Sequence, residues 1–94
     1  MNITIRVERN GETADVKTNL YIMIMWERKY KKRASDLANG IGYEDLTFFA
    51  YEASKLAGLT VPVSMDDYAK AITLLEVVDN EPTNPTQAGP IPAN

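Results

Sequence analysis

The sequence predicts a single small α+β domain, mainly helical. It reads as an N-terminal β-hairpin followed by about three α-helices and a flexible, Pro-rich C-terminal tail. Three observations carry this. Asn10-Gly11 separates two runs of alternating apolar and polar residues. Leu46, Phe49, Ala50, Ala53 and Ala57 recur at helical spacing on one stripe. Four of the five prolines fall after Asp79, among Asn, Thr and Ala. The domain is expected to span 1–78 and the tail 79–94, with no packing role for the tail.

The hairpin, residues 3–18, has a register that the residues themselves specify. A type I′ turn at Asn10-Gly11 needs φ > 0 at both positions, which this pair tolerates. Folding there sets Val7 against Ala14 and Ile5 against Val16 on one face, and Arg6 against Asp15 and Thr4 against Lys17 on the other. A slip of one residue destroys both sets. A lone hairpin is marginal, so this one must lie on the helices or on another subunit's sheet.

Thr18-Asn19 supplies an N-cap, and a helix is predicted over about 20–38, with Ile22, Met25, Trp26, Tyr30, Ala34 and Leu37 at helical spacing. Asn39-Gly40 and Gly42 end it. The central helix, about 43–57, has Glu44 and Asp45 in its first turn, where carboxylates offset the macrodipole, and Gly58 at the left-handed C-cap position. Leu59 to Val63 is extended around Pro62. Ser64 with Asp67 resembles a capping box and opens a third helix, about 65–77, with Met65, Tyr68, Ala69, Ile72 and Leu75 on its apolar side.

Composition narrows the chemistry. The 94 residues include no Cys and no His, so disulfides, thiol nucleophiles, imidazole bases and the usual transition-metal ligands are excluded. No run is apolar enough to span a membrane, and the N-terminus lacks a signal-peptide pattern, so a soluble intracellular protein is expected. The net charge of −3 is unevenly spread. Residues 1–40 hold eight basic and five acidic residues, while residues 41–94 hold two basic and eight acidic. Such a split favours head-to-tail self-association or a charged partner.

Arg28, Lys29, Lys31, Lys32 and Arg33, around Tyr30, are half of the ten basic residues. They read either as a phosphate-contacting face or as the solvated side of a helix, with Glu27–Lys31 and Lys32–Asp36 as i,i+4 pairs. An acidic surface on a neighbour is a third reading. The acidic balance and the lack of a nucleic-acid motif weigh against nucleic acid. Glu44, Asp45, Asp66 and Asp67 all fall in first turns of helices, so they are assigned capping and dipole roles rather than a metal or acid/base site. Gly40-Ile41-Gly42 is too short for a phosphate loop. No catalytic, cofactor or metal site is predicted. Trp26 and Phe49 are core candidates. Phe48 and Tyr51 project from the side of the central helix that carries Glu44, Glu52 and Lys55. They are expected to be exposed protein-interaction anchors, for self-association or for a partner.

The order Trp26-Glu27-Arg28-Lys29-Tyr30, then Tyr43-Glu44-Asp45-Leu46 leading into Phe49-Ala50-Tyr51-Glu52-Ala53, then Val61-Pro62, resembles the tail assembly chaperones of long-tailed (siphovirus) bacteriophages over roughly residues 20–85. The resemblance implies a small, mainly helical, non-enzymatic protein of the host bacterial cytoplasm that is absent from the mature virion. Its implied partners are the tape measure protein, which it holds while the tube assembles, and the tail-tube protein. It implies no agreed binding residues. Two other classes stay open: a small phage nucleic-acid-binding or regulatory protein that uses the basic helix 28–33, and a structural head–tail or tail subunit.

Overall fold

The computed structural model describes residues 2–81, which form a mixed α+β domain of one antiparallel sheet and three α-helices. Strands β1 (Asn2–Arg9) and β2 (Glu12–Lys17) make the predicted hairpin, with Asn10 at φ 53° and Gly11 at φ 81° in its turn. The register pairs Val7 with Ala14, Ile5 with Val16, Arg6 with Asp15 and Thr4 with Lys17, as the residues require. Arg6 makes a two-toothed contact with Asp15 at 2.9 and 3.1 Å on the outer face. That contact holds the Asp15 carboxyl below its ordinary pKa, mainly through the hydrogen bond. Ile3, Ile5, Val7 and Val16 are buried on the inner face.

Helix α1 (Leu20–Tyr30) starts at Asn19, whose side chain accepts from Ile22 N at 2.9 Å. It is shorter than the predicted helix over 20–38. Lys31 turns left-handed at φ 57°, its N–H bonds Glu27 O at 2.9 Å, and a separate 3-10 helix follows at Ala34–Asn39. Side chains explain the break. Glu27 accepts from Ala34 N at 2.7 Å and Asp36 from Arg33 N at 2.9 Å. Both carboxylates therefore cap backbone, and the expected Glu27–Lys31 and Lys32–Asp36 pairs do not form.

Helix α2 (Tyr43–Leu56) is the predicted central helix. Its end is a Schellman motif: Gly58, at φ 83°, donates to Lys55 O, and Leu59 N donates to Ser54 O at 3.0 Å. Leu46, Phe49, Ala50 and Ala53 are buried as expected, whereas Ala57 is exposed beyond the helix end.

The third helix is a correction. Helix α3 is only Met65–Lys70, capped by Ser64 Oγ, which accepts from the N–H groups of Asp66 and Asp67. After Ala71 the chain becomes strand β3 (Ile72–Glu81), antiparallel to β1, and the sheet order is β2-β1-β3. The stretch pairs Leu75 with Val7 and Val77 with Ile5. Alternation along a sheet, not the 3.6 period, places its apolar residues. The hairpin's open edge at β1 is therefore filled by this chain's own strand. Asp79–Glu81, assigned to the tail, pair with Thr4, Ile3 and Asn2. The remainder of the predicted tail lies outside the described residues.

Helix α2 lies against the inner face of the sheet, with α1 on one flank and α3 on the other. Trp26, Phe49 and Tyr68 are fully buried at the centre.

Candidate functional site

The surroundings of α2 decide what its two extra aromatics do. Phe48 is 5% exposed and Tyr51 6% exposed, so neither is the projecting anchor expected of it. Phe48 packs edge-on to Tyr30 of α1 at 5.6 Å and meets Phe49 at 6.2 Å. Tyr51 faces the other flank. Its ring meets Tyr68 at 5.1 Å, and its hydroxyl lies 2.7 Å from the carbonyl oxygens of both Pro62 and Val63. Lys55 Nζ sits over the same ring at 4.6 Å. A wheel drawn on α2 alone gives it one buried side. In the fold it is covered by the sheet, by α1, and by α3 with the 59–63 segment.

Phe48 nevertheless reaches a surface. Helices α1 and α2 run antiparallel: Tyr30 lies by Glu44 and Phe48, while Tyr21 and Ile22 lie by Glu52 and Leu56. Between them are two shallow apolar depressions that share Met25 as a wall. One, of about 330 Å³, is lined by Met25, Phe48, Arg28 and Lys29. The other, of about 260 Å³, is lined by Ile22, Met25, Tyr21, Glu52, Lys55 and Leu56. Tyr21 and Leu56 are 62% and 60% exposed at its mouth.

The structure thus gathers three of the predicted interaction residues, Phe48, Arg28 and Lys29, into one groove and separates the other four. Lys31, Lys32 and Arg33 follow the break in α1, all exposed. Lys32 turns toward α2 and pairs with Asp45 at 3.4 Å. Tyr51 belongs to the opposite flank. Sequence reading missed Met25 as the link between the depressions, and Tyr21 and Leu56 as exposed apolar groups. The signal for Tyr21 and Met25 was present in the unbroken apolar run Leu20 to Met25, which is longer than one buried face needs.

Tyr30 packs edge-on against Phe48, which lines the groove. Burial, then the nearby Glu44 and Asp45 carboxylates, raise its pKa to about 12, so at neutral pH it is a neutral hydrogen-bond donor. Its hydroxyl lies 3.4 Å from Glu44 Oε2.

A larger cavity of about 540 Å³ opens on the other flank, between the hairpin tip and the segment after α2. Four of its polar lining residues, Arg9, Thr60, Ser54 and Tyr68, are engaged with one another. Arg9 stacks on Tyr68 at 4.6 Å and donates to Thr60 O at 3.2 Å, and Ser54 Oγ lies 3.0 Å from the Tyr68 hydroxyl. Among the described residues no set of three or more acidic groups is placed to hold a metal ion, and no helix is long and apolar enough to cross a membrane. No protein-family model, curated protein or solved structure matches the chain.

Proposed function

We propose that the chain is a tail assembly chaperone of a long-tailed bacteriophage. It holds the tape measure protein in the host bacterial cytoplasm while tail-tube protein assembles around it, and it is left out of the mature virion. The supporting observation is that two of the three segments carrying the resemblance, Trp26 to Tyr30 and the helix from Tyr43, form one packed unit. Trp26 Nε1 donates to Asp45 at 2.9 Å, the Trp26 and Phe49 rings meet at 5.4 Å, and Tyr30 packs on Phe48 at 5.6 Å. A groove with an apolar floor and a basic rim lies on the outside of that unit.

In this reading the protein is not an enzyme and uses no cofactor. The groove is shallow, so one copy holds a client weakly. A long client engaged by many copies is held by avidity instead. A homo-oligomer serves the same end by fixing the spacing between grooves.

The test is co-expression with the tape measure protein of the same phage. The expected outcome is that the client stays soluble and co-purifies with this chain, which is then missing from purified virions. A client equally insoluble with and without the chain sinks the reading. A second reading, binding of nucleic acid, draws on the exposure of Arg28, Lys29, Lys31, Lys32 and Arg33 around the end of α1. Steeply salt-dependent binding to a short DNA duplex marks that class. A structural tail subunit is marked by its presence in virions.

A further inference from the structure

The α1–α2 groove is apolar at its floor and cationic along its rim, and the two properties together describe its occupant. Phe48 and Met25 form the floor, while Arg28 and Lys29 stand beside them. Among the described residues neither of these two cations is in an ion pair. Glu52, the one carboxylate of the second depression, is held by Lys55 at 3.2 Å. The groove therefore presents uncompensated positive charge next to apolar surface.

We propose that this groove binds an amphipathic helix of a partner protein whose apolar stripe is flanked by carboxylates. The inference rests on the reading of the groove as the client site, and it names the chemistry of the client segment. The groove lies between helices of 11 and 14 residues, which are about 16–21 Å long at 1.5 Å per residue. That length matches about three turns of a docked helix, with anchors at i, i+3 or i+4, and i+7. One anchor fits beside Phe48 and a second beside Tyr21 and Leu56, with Met25 between them. Flanking carboxylates then meet Arg28 and Lys29.

Other occupants fit less well. A strand needs an open backbone edge, and a groove between two helices offers none. A nucleic acid needs donors along its path, whereas the floor here is Met25 and Phe48. Among its described residues, a second copy of this chain brings no free acidic helix. Helix α2 is covered on three sides, α3 is six residues long with Tyr68 buried, and the remaining acidic stretch is in β3.

The test uses the full chain and two labelled helical peptides of about 16 residues, the length of a groove-spanning helix with one spare turn. Both carry Leu at the anchor positions, one flanked by Glu and the other by Lys, and binding is read by fluorescence anisotropy. The Glu peptide is expected to bind at least about tenfold more tightly than the Lys peptide, and to weaken with salt. Arg28→Glu with Lys29→Glu, both surface changes, should reverse that preference. Met25→Ala should weaken both peptides while leaving the circular dichroism spectrum unchanged. No binding, equal binding of the two peptides, or an unchanged preference in the charge-reversed variant overturns the inference. So does a short DNA duplex that binds with the same dependence on Arg28 and Lys29. Tape measure capture that survives the charge reversal removes the inference and leaves the chaperone reading standing. Peptide binding as expected, without capture of the tape measure protein, does the opposite.

Discussion

The indole N–H of Trp26 donates to the Asp45 carboxylate at 2.9 Å inside the α1–α2 interface, and Lys32 reaches the same carboxylate at 3.4 Å. Asp45 thus has three tasks. It sits in the first turn of α2, it satisfies a fully buried indole, and it holds the turn that ends α1. Asp45→Ala should cost ~2–3 kcal/mol, since a buried N–H loses its acceptor and Lys32 its partner. Asp45→Asn keeps an acceptor and should cost less. Urea unfolding of both variants checks the order, and equal losses would mean that the hydrogen bond is not the dominant contribution.

Asn10 and Gly11 both have φ > 0. Replacing the pair by two Ala residues should destabilise the domain by about 2 kcal/mol, because Ala resists the left-handed region at each position. Nothing lies within 4 Å of a Cβ placed at Gly11, so the loss isolates the backbone effect from any clash. An unchanged unfolding midpoint would refute the strain assigned to this turn.

Two tyrosines give the domain an alkaline limit. Burial raises the pKa of Tyr68, and burial with Glu44 and Asp45 raises that of Tyr30 to about 12. In the unfolded chain each ionises near pH ~10, so above that value the unfolded state releases protons that the folded state keeps. The stability these groups contribute is complete below pH ~10 and is lost as pH rises through the folded-state values. Stability measured from pH 8 to 12 should fall from about pH 10, and Tyr30→Phe should flatten the fall. An equal slope in that variant would show that other groups control it.

Truncation after Val78 separates the sequence expectation from the structure. A tail beginning at Asp79 predicts no change. Strand β3 continues to Glu81, pairing with Thr4, Ile3 and Asn2, so the cut removes the last stretch of that ladder. The truncated chain should lose ~1–2 kcal/mol, about the net contribution of one or two backbone hydrogen bonds. Thermal melts of the two chains decide it.

How much of this was readable depends on how local each signal is. The hairpin register was legible to the residue, because Asn10-Gly11 and the Arg6–Asp15 pair lie within one short stretch. The caps at Asn19, Ser64 and Gly58 were legible for the same reason. Strand β3 was not. Met65, Tyr68, Ile72 and Leu75 fit a helical period, and the competing β-branched signal in Ile72-Thr73 and Val77-Val78 gains force only beside β1, far away in the chain. Phe48 and Tyr51 were misplaced because a wheel shows one helix, whereas their partners Tyr30 and Tyr68 come from two others. The candidate site was legible in part. Arg28 and Lys29 were in view, but Met25 needed the antiparallel pairing of α1 with α2 before it faced anything.

The position of β1 between β2 and β3 has a consequence for how the protein is made. The first hairpin and both long helices can emerge from the ribosome in sequence, each near its own partners. The second edge of β1 waits until Ile72–Glu81 has left the exit tunnel. Until then a nascent chain exposes Ile3, Ile5 and Val7 along a strand with one vacant side, which is open to pairing with other chains. Closing that gap is a long-range event, and pairing across such a sequence separation is intrinsically slow.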